Sequence, residues 1–297
     1  MKSLFKIMFG ALVLAAGLLG AVPVHGADDQ IVAVLSSNGT PYKQALEGLQ
    51  QALGYAVPSY VLTEGQPKIP ENARIIIAIG GKATVFPYPG RRLLIYCLAP
   101  GIKVKPEDHD GPLLKIHTSP SVHTVISQLK ELQPALKRIA VLWAGDSIQD
   151  YIDQKKEIAN SLGVEIVSDR IRDPQDLPDH LRALKGKVDA IWFPPDAAMV
   201  TPRNFITVKE FASSNGIPFY VPSDGMVEQG ATASVYRSFY EIGQTAGEMA
   251  HLRLQGHSNV DNVFSNQEHV AINMTSAKAC GLPLSSEVLK KAEKVFP

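Results

Sequence analysis

Apolar and polar positions follow a strand, loop and helix order that begins at residue 31. The apolar run 31–35 predicts a buried strand, and the small polar residues after it predict a loop. Thr40 and Pro41 then signal the start of a helix, and Gly54 signals its end. The predicted buried face of this helix carries four residues at helical spacing: Tyr42, Leu46, Leu49 and Leu53. The segment therefore reads as the opening of a βαβ unit.

The same order recurs in residues 138–166. A β-branched run, a short polar loop, a helix and a glycine are again followed by a second apolar run. The apolar stripe of this second helix consists of Ile148, Tyr151, Ile152, Ala159 and Leu162. A repeated βαβ opening predicts two parallel-sheet units that follow one another along the chain.

Further apolar runs extend both units. Residues 73–84 and 91–100 add two strands to the first unit, and residues 188–199 and 216–224 add two to the second. These runs are too apolar to face water on either side, which is typical of parallel strands covered by helices. The sequence thus predicts an α/β fold of two Rossmann-like lobes with parallel sheets.

Proline and glycine mark two more helices and the join between the lobes. Ser119-Pro120 predicts a helix that Pro134 stops, and Thr201-Pro202 predicts one that ends at Gly216. After the second lobe come a strand, a turn and a helix in residues 230–256, and then a tail from 257 to 297. Material left over after two lobes is expected if the chain crosses between them more than once.

Residues 1–27 have the pattern of a secretory signal peptide. Two lysines precede an apolar run over residues 7–21, and small residues follow at 26 and 27. The run falls short of the roughly 20 residues that span a bilayer. We expect cleavage after Gly26 or Ala27, and because no cysteine stands there, we expect no lipid anchor.

Charge argues against polyanionic partners. The chain carries 29 basic and 29 acidic residues, and the signal segment holds two of the basic residues and none of the acidic ones. The remaining chain therefore has a net charge near −2, which disfavours binding to nucleic acid or an anionic membrane. Of the two cysteines, Cys97 lies in an apolar run that predicts a buried free thiol, and no disulfide with Cys280 is expected.

Known catalytic and cofactor motifs are not found in the sequence. It has no Gly-x-Ser-x-Gly elbow, no His-Glu-x-x-His, no Cys-x-x-Cys and no Walker lysine motif. The run Glu107–Asp110 is better explained as a solvated loop than as a metal site. Asp146, Asp196 and Asp224 stand at strand ends where a hydrolase could place acids or bases, yet no paired nucleophile accompanies them. We expect no enzyme activity, no catalytic residues, no metal and no cofactor.

Polar loops follow the predicted strands and indicate a binding site instead. In parallel sheets, ligands bind beyond the carboxyl ends of the strands. The loops there read SSNGT, GGKAT, AGDS, FPPDA and PSDG, and they offer hydroxyls, aspartates and backbone N–H groups at helix starts. These groups suit a polar small molecule or an anion.

Four stretches carry a resemblance to a known family. PYKQALEGLQQAL, VDAIWFPPD, GATASVYRSFYEIGQTAGEMA and INMTSAKACGLPL resemble ABC transporter substrate-binding proteins of the family that includes tryptophan- and tyrosine-binding members. The resemblance covers essentially the whole chain after the signal segment. It implies a type I periplasmic-binding-protein fold, with lobes joined by hinge crossovers. It also implies a periplasmic monomer that captures a small polar molecule, such as an amino acid or other carboxylate, for an ABC permease in the inner membrane.

The predicted lobes are discontinuous in the chain. The N-terminal lobe comprises residues 28–116 and 240–263, and the C-terminal lobe comprises residues 117–239 and 264–297. Alternative functions that remain open are a ligand-presenting sensor subunit for a membrane receptor and a periplasmic hydrolase.

Two departures from the family pattern bear on the ligand. The first lobe is short and rich in proline where relatives carry helices, and Ser238 stands where many relatives have an aspartate before the Y-E-x-G turn. A missing carboxylate weakens the case for an ammonium group on the ligand. Arg237 and Lys82, if they face the cleft, favour an anionic or strongly accepting group. An ordinary surface role for Arg237 is the alternative.

The expected ligand-binding residues form two facing walls. One wall consists of Ser36, Ser37, Asn38, Tyr42, Gly81 and Lys82. The opposite wall consists of Asp146, Ser147, Asp196, Ser223, Asp224, Tyr236 and Arg237. For Ser36, Ser37 and Ser147, capping or turn formation is an equally good interpretation.

Overall fold

A computed structural model describes residues 30–145, 149–196, 198–257, 262–264 and 267–297. Within these residues, the first sheet has six strands, all parallel, in the order β11-β5-β4-β3-β1-β2. They are β1 (Ile31–Leu35), β2 (Ser59–Val61), β3 (Ile75–Ile79), β4 (Leu93–Cys97), β5 (Leu113–His117) and β11 (Asn262–Phe264). β1 and β3 are buried along their full length, as their unbroken apolar sequences predict.

The described part of the second sheet has seven strands in the order β13-β12-β10-β9-β8-β6-β7. They are β6 (Arg138–Trp143), β7 (Glu165–Arg170), β8 (Ala190–Trp192), β9 (Phe219–Val221), β10 (Ala233–Tyr236), β12 (His269–Asn273) and β13 (Lys294–Phe296). β12 runs antiparallel to β10, and every other neighbouring pair is parallel. The two predicted α/β units with parallel sheets are therefore confirmed, and the tail adds two reversed strands to the second sheet.

Ten α-helices lie in the described residues. They are α1 (Thr40–Leu53), α2 (Gly81–Thr84), α3 (Val122–Leu132), α4 (Gln149–Ser161), α5 (Leu177–Leu184), α6 (Pro202–Asn215), α7 (Asp224–Glu228), α8 (Phe239–Leu254), α9 (Met274–Ala279) and α10 (Ser286–Lys291). Two short 3₁₀ turns occupy Pro106–Asp108 and Pro174–Asp176.

Local capping explains where the predicted helices begin and end. The Thr201 hydroxyl accepts a 3.2 Å hydrogen bond from the Asn204 amide at the start of α6, and Gly216 adopts the left-handed conformation (φ 64°) at its end. The predicted start of α3 at Ser119-Pro120 is two residues too early. Ser121 instead caps α3, and its hydroxyl accepts a 3.1 Å hydrogen bond from the Thr124 amide.

Helices cover one face of the first sheet, and mostly loops cover the other. α1 and α8 bury Ala45, Leu49, Ile242 and Ala246 against the first face. The second face is covered by α2 and by loop residues such as Ile69, Tyr88, Ile102 and Val104. The short, proline-rich segments of the first lobe therefore replace a helical layer with loops. Cys97 is a buried free thiol on β4, as predicted, and Cys280 is a half-buried free thiol.

Both faces of the second sheet are covered by helices. α3, α4 and the C-terminal helices cover one face, with Val125, Leu129 and Ile152 in its core. α5 and α6 cover the other, where Phe193, Phe205 and Phe219 pack as a cluster of rings with centroids 4.9 and 5.8 Å apart. A separate apolar core in each lobe is what a two-lobe protein requires.

Along the described residues, the chain passes between the sheets three times. β5 of the first sheet leads to α3 on the second, β10 of the second sheet leads to α8 on the first, and β11 of the first sheet leads to β12 of the second. We call the segments 117–122, 236–239 and 267–269 the first, second and third crossovers. They bring the carboxyl ends of the parallel strands in both sheets to the same region.

Candidate functional site

The loops after β1 and β3 are tied together in the first lobe. The buried Ser36 hydroxyl accepts a 3.0 Å hydrogen bond from the Ala83 amide, which lies 47 residues later. Gly80 has φ 100°, and a Cβ there would lie 2.5 Å from the Ser36 oxygen and 2.7 Å from a ring carbon of Tyr42. Glycine is thus required at this position. Ser36 fixes the two loops, and the half-buried Tyr42 packs beside them.

The remaining candidates of this wall are more exposed. The Ser37 hydroxyl accepts from the Gly39 amide at 3.4 Å, and the exposed Asn38 amide group donates to Glu64. Gly81 begins the short helix α2, and the Lys82 side chain is exposed. Lys82 and Asn38 are therefore accessible on the first lobe, while Ser37 is occupied in a turn.

Asp196 of the second lobe is committed to the backbone. Its carboxylate is buried and accepts hydrogen bonds from the amides of Ala144 (2.7 Å), Gly145 (2.9 Å) and Ala198 (3.0 Å). The loop after β8 is thereby joined to the loop after β6. Asp146 and Ser147, predicted from that β6 loop, lie outside the described residues.

Asp224 and Ser223 follow β9 and begin α7. The Asp224 carboxylate accepts from the Gly225 amide at 2.9 Å and from the Lys294 ammonium at 2.6 Å, so its charge is paired with a cation from β13. Ser223 occupies the N-cap position of α7 without a side-chain capping bond. Its half-exposed hydroxyl leaves Ser223 as a candidate for ligand contact on this loop.

Tyr236 and Arg237 lie where β10 passes into the second crossover. The Tyr236 ring is buried, with its centroid 5.5 Å from that of His269. Burial raises the pKa of Tyr236, and the carboxylates of Asp224, Glu293 and Glu241 raise it further. Tyr236 is therefore a neutral phenol at physiological pH.

The Arg237 guanidinium is held by other crossovers. It donates to the Ser119 carbonyl at 3.1 Å and to the Glu268 carboxylate at 3.0 Å, and its side chain is only 3% exposed. Burial lowers the pKa of Arg237, while Glu268 and Glu241 oppose that change. The ordinary surface role considered for Arg237 does not apply.

Sequence reasoning missed Ser119 and Glu268, which bind Arg237, and Glu241 and His269, which contact each other. Ser238 and Glu241 form a capping box: the Ser238 hydroxyl accepts from the Glu241 amide at 3.1 Å, and Glu241 accepts from the Ser238 amide at 3.2 Å. The S-x-x-E spacing is a recognisable signal for such a box. Ser238 thus serves to start α8. No sequence signal connects Glu268 with Arg237.

A cavity of about 470 Å³ lies away from these loops. Its lining comes from the segments that precede β6, β8 and β9, including Gln133, Val188 and Pro218. It therefore opens at the amino edge of the second sheet, opposite the crossovers. Among the described residues, no group of three His, Cys, Asp or Glu side chains is placed to hold a metal ion. Within Glu107–Asp110, His109 is buried and lies 2.8 Å from the Arg92 carbonyl, whereas the solvated-loop interpretation placed it in water.

The helices bear on whether the chain crosses a membrane. Within the described part of the chain, none of them combines the length and the apolar character needed to cross a bilayer.

Part of the chain is similar in sequence to a known family and to a known relative. The profile of the ABC transporter substrate binding protein family matches residues 117–296. A tyrosine-binding protein of Clostridioides difficile (strain R20291) is 26% identical over 175 residues, which are 57% of this chain. The chain spans about half the length of that relative, since the match covers 50% of it.

Solved structures share the fold. An ABC domain from Streptococcus pneumoniae in complex with L-Trp superimposes with a TM-score of 0.65 at 19% identity, covering 90% of this chain and 100% of that one. A ligand-free, open substrate binding protein with adhesive properties from Clostridium difficile gives 0.67 at 19% identity, covering 90% and 98%. The predicted fold, a two-lobe α/β periplasmic binding protein of type I, is confirmed. Because the family profile matches more than half of this chain, the chain belongs to the ABC transporter substrate-binding proteins.

Proposed function

We propose that this protein captures a small polar solute between its two lobes and delivers it to an ABC permease in the inner membrane. Residues 1–27 would direct export to the periplasm, where the protein would act as a monomer. The observation that carries the proposal is the convergence of the carboxyl-edge loops of both sheets at three crossovers. A ligand held between two such walls contacts both only in the shut form, which couples binding to closure.

The moving units of this mechanism are the two discontinuous lobes. We propose residues 28–116 with 240–263 as one unit and residues 117–239 with 264–297 as the other. Support comes from α8, which follows β10 of the second sheet but packs on α1 and the first sheet. β11 likewise pairs with β5 of the first sheet.

The proposed ligand contacts are the accessible groups of the two walls. On the first lobe these are Asn38, Tyr42 and Lys82, and on the second lobe Ser223 is the described candidate. The exposed Lys82 ammonium favours a ligand with a carboxylate or another accepting group. Amino acids satisfy this chemistry, and the relatives named for tyrosine and L-Trp make aromatic amino acids the first class to test.

Binding without catalysis is the favoured activity. The two described aspartates that a hydrolase could use are already engaged, Asp196 with three backbone amides and Asp224 with Lys294 and Gly225. A general base must reach the proton that it removes, and these carboxylates are occupied within the protein. The family is in general one of binding proteins.

Calorimetric titration tests the proposal. Protein comprising residues 28–297, purified without refolding, would be titrated with L-tyrosine, L-tryptophan and L-phenylalanine, with glucose as a negative control. We expect one-site binding of at least one amino acid, weakened by Lys82→Ala. Lys187→Ala is the matched control, because Lys187 is exposed near the opposite edge of the second sheet. Equal weakening by both lysine variants, or no binding of any amino acid by protein shown by native mass spectrometry to be ligand-free, would contradict the proposal.

A further inference from the structure

We propose that Arg237 is a positioning residue that joins the three crossovers and sets the pivot of lobe closure. We call the Arg237 guanidinium, the Ser119 carbonyl and the Glu268 carboxylate the hinge clamp. This inference rests on the proposed function, since a pivot matters only for lobes that move. It assigns Arg237 a role in the hinge in place of the ligand contact that its position in the sequence suggested.

The Arg237 side chain is bonded to both of the other crossovers, and this geometry supports the inference. Arg237 lies in the second crossover, between the end of β10 and the start of α8. Its Nη1 donates to the Ser119 carbonyl in the first crossover, and its Nη2 donates to Glu268 in the third. Hydrogen bonds that span 118 and 31 residues of sequence thus meet on a single guanidinium.

Electrostatics make this arrangement strongly dependent on both partners. The Arg237 side chain is 3% exposed and that of Glu268 is 33% exposed, so a buried cation is neutralised by a carboxylate that still contacts water. Removing one partner of a buried pair leaves an uncompensated charge, which is far more costly than losing a surface pair. Glu268→Ala should therefore disturb Arg237 even though Glu268 itself lies near the surface.

A contact between the lobes lies beside the clamp. Glu241 lies on α8, which packs on the first sheet, and His269 begins β12 of the second sheet. The His269 Nε2 atom lies 2.8 Å from both carboxylate oxygens of Glu241. Since a carboxylate only accepts hydrogen bonds, the imidazole N–H donates across the lobe boundary. The third crossover is thus bonded both to Arg237 in the second crossover and to Glu241 in the first turn of α8.

The mechanical consequence is that the crossovers turn together. Closure of a hinge requires changes of φ and ψ in a few connecting residues. Arg237 extends from the second crossover and is bonded to the other two, so it resists their independent rotation. Any relative displacement would stretch a charge-assisted hydrogen bond. The lobes of the wild-type protein should then sample a narrow range of relative orientations before any ligand binds.

The test measures interlobe distances without ligand. Spin labels would be attached at Glu47→Cys on α1 and Glu210→Cys on α6, both exposed positions, in a Cys280→Ser background. Pulsed electron–electron double resonance would compare the interlobe distance distribution of the protein with the wild-type clamp with those of Arg237→Ala and Glu268→Ala. We expect both variants to broaden and shift the distance distribution. Amide exchange in the described part of the crossovers should accelerate roughly tenfold or more, while the central strands of both sheets keep their protection.

Controls separate a hinge role from general destabilisation. Arg203→Ala removes an exposed arginine from the first turn of α6 and should leave the distance distribution unchanged. A wild-type distribution in either Arg237→Ala or Glu268→Ala, each verified to be folded by circular dichroism, would overturn the clamp. If Arg237→Ala does not fold, Glu268→Ala decides alone. Because no ligand is added, failure of the amino-acid titrations would leave this result intact.

Discussion

The buried carboxylate of Asp196 accepts a 2.9 Å hydrogen bond from the backbone amide of Gly145, across 51 residues of sequence. The same oxygen accepts from Ala144, and the other accepts from Ala198, so the loops after β6 and β8 share one anchor. A Cβ at Gly145 would lie 2.9 Å from the carboxylate, which shows how closely the two loops approach. Asp196 therefore holds together two loops of the second wall of the proposed cleft.

Replacement of Asp196 by alanine should mainly reduce the stability of the fold. The change removes the acceptor of three backbone N–H groups in two loops, so the hydrogen bonds that join these loops are lost. We expect the free energy of unfolding to fall by about 2–4 kcal/mol, measured by urea denaturation. Asp179→Ala is the control, because that carboxylate is 73% exposed and its ion pair with Arg182 contributes little. Equal midpoints for wild type and Asp196→Ala would contradict the anchoring role.

The candidate site illustrates what a sequence pattern reveals and what it omits. Parallel strands end at a common edge, so polar residues after β1, β3, β8 and β9 could be placed near one region from their spacing alone. Whether a side chain faces a ligand or the backbone depends on contacts between distant segments. Ser36 with Ala83 and Arg237 with Glu268 are such contacts, and no local pattern encodes them.

The fold also has elements that local sequence patterns predict and elements that they do not. Apolar runs and capping residues predicted both parallel sheets and helices α1, α6 and α8, because these signals are local. The reversed strands β12 and β13 were not predicted, since pairing in an antiparallel sense is fixed by β10 and not by their own short sequences. The packing of α8 on α1 likewise follows from two glycines that are almost 200 residues apart, Gly48 and Gly243.

Substitution of Gly243 by alanine should destabilise the first lobe. A Cβ at this position would lie 1.9 Å from the Ala45 carbonyl oxygen, so α1 and α8 could not keep their close contact. Overpacking of this kind typically costs about 1–3 kcal/mol, and thermal unfolding would measure it. Gly225→Ala is a matched helical control with no atom within 4 Å of the added Cβ, and it should be neutral or slightly stabilising. Equal melting temperatures of the two variants would refute the contact.

Ser36→Ala should lower stability while leaving the fold unchanged. The Ser36 hydroxyl is the acceptor for the buried Ala83 amide, and its loss leaves that N–H unsatisfied. We expect a decrease of about 1–3 kcal/mol in the free energy of unfolding, measured by urea denaturation. The exposed Ser214→Ala should stay within about 0.5 kcal/mol of wild type. A full loss of amino-acid binding with wild-type stability would instead identify Ser36 as a ligand contact.

Alkaline destabilisation should depend on the buried thiol of Cys97. Burial raises its pKa from the ordinary 9.0 to about 12, so between these pH values the folded state keeps a proton that the unfolded state releases. The free energy of unfolding should then fall with rising pH, by up to about 1.4 kcal/mol per pH unit from this group. In Cys97→Ala this contribution is absent, while the buried tyrosines contribute equally to both proteins. Urea denaturation from pH 8 to 11 would show parallel pH profiles for the two proteins if the thiol were ionised in the fold.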